Sequence, residues 1–333
     1  MFRPLRLLAT LVLGLLTVTM PAQADDIFRI GAGSTLTNFP IAERLSQEMT
    51  SPEEAGNCAC NSCRFPPKAF VAAACTESGT AAILQGLDDN RLQTGIVQSD
   101  LASYAYAGLD EWREKPFRSI RFVANLYPYA VHVVAAPDIG SVEELAGKLV
   151  VLGREGSLQA QNAKGILQVF GLGPQSYRAL HMAQFDAEEA LLDGEIDAFV
   201  SITTPGFGSI DNLAQAVPIS LLSLTGAASK NLIKRFPFLY EITIPAGTYT
   251  GFNEDVTTLA FGAQLITTAD VAEDQIQKLT GILWSRGMQQ KLKTGQSTQA
   301  IGAWIDPAHA LSAASIPMHP GAERFYREAG VLK

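Results

Sequence analysis

GAGSTLTNFP, residues 31–40, lies between a short apolar run (Ile27, Phe28, Ile30) and a helical pattern that begins near Ile41. Two glycines, four small hydroxyl or amide side chains and a proline thus separate a strand from a helix. Such a loop exposes backbone N–H groups at the positive end of a helix dipole, an arrangement that suits an anion. The same grammar returns downstream. Residues 94–97 (TGIV) read as a buried strand that delivers Gln98, Ser99 and Asp100 at its carboxyl end, after a short helix over 81–87. A strand over 149–152 opens into GREGSLQ at 153–159 and then a helix through Asn162 and Leu167. A helix over 187–192, a break at Asp193-Gly194 and a strand over 196–200 end at Ser201, Ile202, Thr203 and Thr204. Open α/β sheets bind ligands at the carboxyl ends of their strands, so these loops are the place for a site.

Glycine-and-hydroxyl loops in both halves of the chain imply a ligand clamped between two lobes. Two long β-type runs, 122–136 and 257–267, read as strands on which the chain leaves one α/β domain and returns to it. The resulting division is residues 25–125 plus 257–333 for the first lobe and 126–256 for the second. Ser141 and Glu144 have capping-box spacing ahead of a further helix. Residues 272–292 read as one long helix packed on the first lobe, with Leu283 and Trp284 in its core.

The chain has 333 residues, 47% of them apolar and 17% charged, which is enough to bury a sizeable core. Its start has a different character. Arg3 and Arg6 precede an apolar segment to about Met20, and Ala22-Gln23-Ala24 has the small-x-small form of a signal-peptidase site. The reading is a signal peptide over 1–24, cleavage after Ala24 and a periplasmic mature protein. Cleavage lowers Lys+Arg from 25 to 23 against 33 Asp+Glu and moves the net charge from −8 to −10. An acidic surface excludes nucleic acid as a partner. An anionic ligand must therefore be held by local dipoles and a few placed donors.

Cys58, Cys60, Cys63 and Cys75 fall in one region. In an oxidising compartment they read as disulfide candidates that staple a surface loop, with Cys75 joined to one of the other three. The competing reading of CACNSC, residues 58–63, is a soft-metal site, and no histidine lies near it in sequence. No metal site and no cofactor is expected. G-x-S-x-G is absent, and G-x-G-x-x-G fails because Leu36 stands at the third glycine. His132, His181, His309 and His319 are scattered, His132 reading as a core or hinge residue; Asp88-Asp89 and Glu188-Glu189 read as solvated helix faces. The chain therefore reads as a binding protein and not an enzyme.

Six segments in order, IVQSD (96–100), LYP with VHVV (126–134), GS followed by NA (156–163), DGEIDAF (193–199), IPAGTY with EDV (244–256) and IPMHPGAE (316–323), resemble the TAXI family of solute-binding subunits of TRAP (tripartite ATP-independent periplasmic) transporters. The resemblance spans nearly all of the mature chain. It implies a two-lobe type II periplasmic binding fold with two hinge-crossing strands, a monomer that closes on a small anionic or zwitterionic solute, glutamate-like or 2-oxoglutarate-like, and TRAP membrane permease subunits as partners. Carried onto matching positions, it implies ligand contacts from Thr35 and Thr37, from Ser78, Gly79 and Thr80, and from Gly156 and Ser157, with Gln98, Tyr127 and Thr203 as neighbours.

The chain departs from that pattern in three places. Leu36 would narrow or dry the first loop. ESGTAAI, residues 77–83, lacks the asparagine that usually follows the second loop, and Glu77 either points away or faces an ammonium group. The cysteine insert, residues 57–67, reads as a surface loop or a contact for the membrane subunits. The rival readings are a phosphate-type oxyanion receptor, a ligand sensor and an exported enzyme.

Overall fold

A computed structural model describes residues 27–34, 37–50, 71–206, 208–296 and 298–333. The segments assigned above to the signal peptide and cysteine insert, with Thr35, Leu36, Cys58, Cys60 and Cys63, lie outside the described residues. Cys75 is buried and is not a free thiol.

The apolar run before the glycine loop forms β1 (Ile27–Gly33). It pairs in parallel with β2 (Val71–Glu77) and with β3 (Thr94–Gln98). These strands are covered on both faces, so they read as near-continuous apolar runs instead of alternating ones. Helices α1 (Asn38–Met49), α2 (Thr80–Asp88) and α3 (Ser99–Ala107) each start at the carboxyl end of one of them. On α1, Ile41, Ala42, Leu45 and Met49 recur on one helical face and are buried against the sheet.

The chain then enters β4 (Ile120–Ala135), a strand of 16 residues. The second half holds β5 (Leu149–Val151), β6 (Arg178–Leu180) and β7 (Ala198–Thr203), parallel to one another, with α4 (Leu158–Val169), α5 (Gln184–Leu192) and α6 (Gly208–Ala216) between and after them. Short β8 (Ser220–Leu221) pairs with β4, α7 (Gly226–Arg235) follows, and β9 (Leu239–Ile244) pairs with β10 (Val256–Thr268), which returns the chain to the first half. The tail forms α8 (Glu273–Leu283), α9 (Arg286–Thr294), α10 (Gln299–Gly302) and α11 (Pro320–Glu328).

Among the described residues the result is a ten-stranded sheet in which β2-β1-β3 continue through β10-β4 into β7-β5-β6. The two long strands thus cross from one half to the other, as their length and composition predict. Four apolar clusters cover the faces. In the first half, one lies under α1, α8, α9 and α11 and another under α2 and α3. In the second half, one lies under α4 and α7 and another under α5 and α6.

Three local readings are corrected. The single helix over 272–292 is two, because Ser285 accepts from the Met288 N–H and caps a new helix start at 3.2 Å. The capping box at 141–144 does not form. Val142–Leu145 is a 3-10 turn, and the Glu144 carboxylate accepts from the Gly140 N–H instead. Glu188 is buried rather than solvated and accepts from Gln184 Nε2 at 2.9 Å.

Candidate functional site

Strand direction fixes where the loops meet. β10 is antiparallel to β3 and to β4, and β4 is antiparallel to β7, so β3 and β7 run in opposite senses. Their carboxyl ends therefore face each other across the middle of β4. Gln98 shares a rung with Ala263, and Ala263 with Tyr127, while Thr203 pairs with Ala130. Three residues of β4 separate those rungs, roughly 10 Å at strand rise. The N-termini of α1, α2 and α3 from one half and of α4 and α6 from the other start at these strand ends, which brings positive dipole ends to one level of the sheet.

A polar bridge crosses between the halves at that level. Asp100, in the first turn of α3, is fully buried. Its Oδ2 accepts from Asn162 Nδ2 on α4 at 2.8 Å and from Gln98 Nε2 at 3.2 Å, and its Oδ1 accepts from the Leu101 N–H at 2.8 Å. Burial raises this carboxyl above its ordinary value, and the hydrogen bonds from Asn162, Leu101 and Gln98 oppose that rise. Beside it, Ser99 Oγ donates to the Phe238 carbonyl at 2.7 Å and accepts from the Gly262 N–H at 2.8 Å, which locks α3 onto the crossing strands.

Two hydroxyl groups on β4 occupy the first half's side of the level. Tyr127 donates to Asn38 Oδ1, its hydroxyl lies 3.1 Å from that of Tyr129, and Asn38 Nδ2 donates to Tyr129 at 3.1 Å. Thr37 hydrogen-bonds into the same group. Asn38 is the first residue of α1, so this network fixes the helix start that follows the glycine loop. On the second half's side, Tyr249 OH accepts from the Gly206 N–H at 3.0 Å and donates to His132 Nε2 at 2.8 Å. His132 Nδ1 then carries its proton toward the Ala130 carbonyl at 3.1 Å. Burial pushes the imidazole down to about 4, so it is neutral. This chain of bonds pins the turn between β7 and α6.

The sequence-expected residues separate into groups. Ser78, Gly79 and Thr80 form the start of α2, where Gly79 at φ +153° has open space around it. Gly156 at φ +72° is exposed on the loop before α4, and Thr203 is half-buried at the end of β7. Three positions take other parts. Tyr127 is fully buried behind Asn38 and Tyr129, so it shapes the site and does not line it. Ser157 caps α4, accepting from the Ala160 N–H at 3.2 Å and donating to the Arg154 carbonyl at 2.7 Å. Gln98 gives its amide N–H to Asp100. Glu77, the odd acid of the second loop, pairs with Arg91 at 3.2 Å.

Sequence reading left Asn38, Asp100, Tyr129 and Asn162 out of the candidate site. The signal for Asp100 and Asn162 was a lone acid directly after a buried strand and a lone amide in the first turns after a glycine loop; only the fold makes them partners, 62 residues apart in sequence. No group of three His, Cys, Asp or Glu side chains able to hold a metal occurs among the described residues. No helix among them is long and apolar enough to cross a membrane. A separate cavity of about 270 Å³ lies at the hinge, lined by Pro128, Tyr240, Trp304 and His309 among others.

Solved structures share this architecture. The periplasmic sulfonate-binding protein SsuA of a putative sulfonate ABC transporter from Methylobacillus flagellatus KT superposes with a TM-score of 0.51 at 15% identity, over 91% of this chain and 84% of that one. The periplasmic aliphatic sulphonate binding protein SsuA from Escherichia coli gives a TM-score of 0.48 at 14% identity, over 91% and 88%. The alkanesulfonate-binding protein SsuA from Xanthomonas axonopodis pv. citri, bound to MOPS, gives 0.44 at 15%, over 92% of both chains. The first of these carries the fold: a mixed α/β periplasmic binding protein fold. Residues 30–330 match the model of the NMT1-like family, and the chain belongs to that family.

Proposed function

We propose that the protein is an exported solute receptor that captures a small organic acid or amino acid between its halves and delivers it to a membrane transporter. The observation that carries this reading is the meeting of β3 and β7 end to end at the centre of β4, with helix N-termini arriving from both sides. In this reading neither half alone surrounds a ligand there, and the helix N-termini of both supply the donors.

The physics of capture follows from that geometry. A carboxylate recruits N–H groups at the starts of α2 and α4, and closure about the crossing strands excludes water and strengthens those bonds. Ligand binding favours the closed form only by its differential affinity, so release requires a partner that favours the open form. The six-segment resemblance supports TRAP permease subunits as that partner.

A thermal-shift panel on the mature protein tests the reading, because a ligand specific to the folded state raises the melting temperature by mass action. The panel holds amino acids, 2-oxoglutarate, C4 dicarboxylates, alkanesulfonates, phosphate and sulfate. A clear shift with one organic acid or amino acid is the expected result. A shift with phosphate alone would replace it with an oxyanion receptor, and a shift with alkanesulfonates alone would replace the carboxylate class by the ligand class named for the structural neighbours. Uptake into proteoliposomes without ATP, given the TRAP subunits, tests the partner.

A further inference from the structure

We propose that the cavity at the hinge is a second ligand site, which takes a small organic cation against the rings of Tyr240 and Trp304 and the carboxylate of Glu241. None of the residues that line it belongs to the helix starts and strand ends described above. The site therefore stands or falls separately from the receptor reading.

The cavity of about 270 Å³ has room for roughly nine non-hydrogen atoms, at the ~30 Å³ that each water takes in the liquid. Three parts of the chain enclose it: Pro128 from β4, residues 240–243 from β9, and Trp304 with His309 from the tail between α10 and α11. Its walls are fixed from behind. Asn125, fully buried on β4, donates through Nδ2 to the Tyr240 hydroxyl at 3.3 Å and to the His309 carbonyl at 3.2 Å, so one amide ties strand and tail together. The Tyr240 and His309 rings stand 6.5 Å apart between centroids. Ser229, fully buried on α7, donates to Glu241 Oε2 at 3.0 Å and sets the carboxylate. The other oxygen, Oε1, has no hydrogen-bond partner among the described residues.

The chemistry of the walls selects the occupant. Aromatic faces are negative and attract cations, Trp most strongly. Glu241 adds a full negative charge, and no Lys, Arg or His pairs with it among the described residues. No Lys or Arg lines the cavity either. A second cavity, of about 320 Å³ beside α2, differs in this respect: Lys115 stands in its wall, paired with Asp88. An anion would meet the rings and the carboxylate at the hinge with the wrong sign, and the acidic chain, at a formal net charge of −8, concentrates cations near its surface. A bare metal ion fits poorly, because no group of three His, Cys, Asp or Glu side chains able to hold one occurs among the described residues. Buried Pro128 and Ile242 instead offer apolar surface to the carbon substituents of an organic cation.

The experiment is calorimetric titration of the mature protein with choline and with 3,3-dimethylbutan-1-ol, its uncharged isostere, at an ionic strength held constant with sodium chloride. Choline should bind at least about tenfold more tightly than the alcohol, from ring and carboxylate attraction together. Glu241→Gln, at an exposed position where folding is not at stake, should weaken choline at least about threefold and leave the alcohol unchanged. Trp304→Leu, which keeps apolar bulk and removes the ring, should also weaken choline at least about threefold. Because Trp304 stands in the wall, choline should change the tryptophan emission of the wild-type protein, and the change should vanish in Trp304→Leu and persist in Trp112→Phe. Equal binding of choline and the alcohol overturns the proposal, as does choline affinity unchanged in Glu241→Gln. A signal lost in Trp112→Phe moves the cation to the cavity beside α2 and overturns it too, and so does the absence of binding by either probe. Each of these results leaves the thermal-shift test of solute capture untouched.

Discussion

His132 shows how much one buried side chain can set the behaviour of the protein. Its imidazole is neutral because burial lowers its value from 6.5 to about 4. Between those values the unfolded chain binds a proton that the folded chain refuses, so stability rises with pH across that window and is lost as pH falls through it. The loss is at most roughly 3 kcal/mol. Melting curves between pH 7 and pH 4.5 check this, and His132→Gln should flatten the dependence by removing the titrating group. A flat wild-type profile would show that the His132–Tyr249 bond is not held neutral in solution. Ser157 gives a second residue-scale result. Because its hydroxyl caps α4, Ser157→Ala should lower stability by about 1 kcal/mol, read as a lower melting temperature. Its effect on solute affinity should be under about threefold, because the hydroxyl is already committed to the cap; a loss of about tenfold or more would return Ser157 to the ligand itself.

At the scale of elements, β4 and β10 are the parts on which both halves depend. Gly262 lies on β10 where Asn125 comes closest, and a Cβ there would run into the Asn125 amide oxygen, a buried acceptor with no hydrogen-bond partner among the described residues. Gly262→Ala should therefore destabilise by about 1–3 kcal/mol through overpacking, measured by denaturant unfolding. A neutral substitution would mean that the crossing strands shift freely. Those strands were legible in the sequence because a long run of Val, Ala, Tyr and His bounded by turns has few other homes. The break in the tail helix was not, since Ser285 is a cap only once Met288 has packed beneath it. The candidate site was half legible for the same reason. Glycine and hydroxyl loops announce themselves in sequence, whereas a carboxyl group and an amide from different halves become one feature only when the sheet brings α3 and α4 together. The two alternatives for Glu77 stayed open in the sequence for the same reason, because Arg91, which pairs with it at the end of β2, lies on the far side of α2.

For the whole molecule, net charge and architecture act together. An acidic chain repels anions at long range, so capture of a carboxylate must come from short-range dipoles. Binding should then weaken only modestly with added salt, since the contacts are desolvated on closure. Affinity measured between low and physiological ionic strength checks this; a steep loss would place the ligand on an exposed charged patch instead. The central claim is that both halves grip one solute at the middle of β4. Hydrogen exchange, followed peptide by peptide with and without the strongest ligand of the thermal panel, tests it most directly, because amides in a closing cleft slow together. The predicted result is simultaneous protection at residues 78–83, 98–102, 153–162 and 203–206, drawn from both halves. Protection confined to one half, or centred on the hinge cavity beside Trp304 and His309, would contradict it.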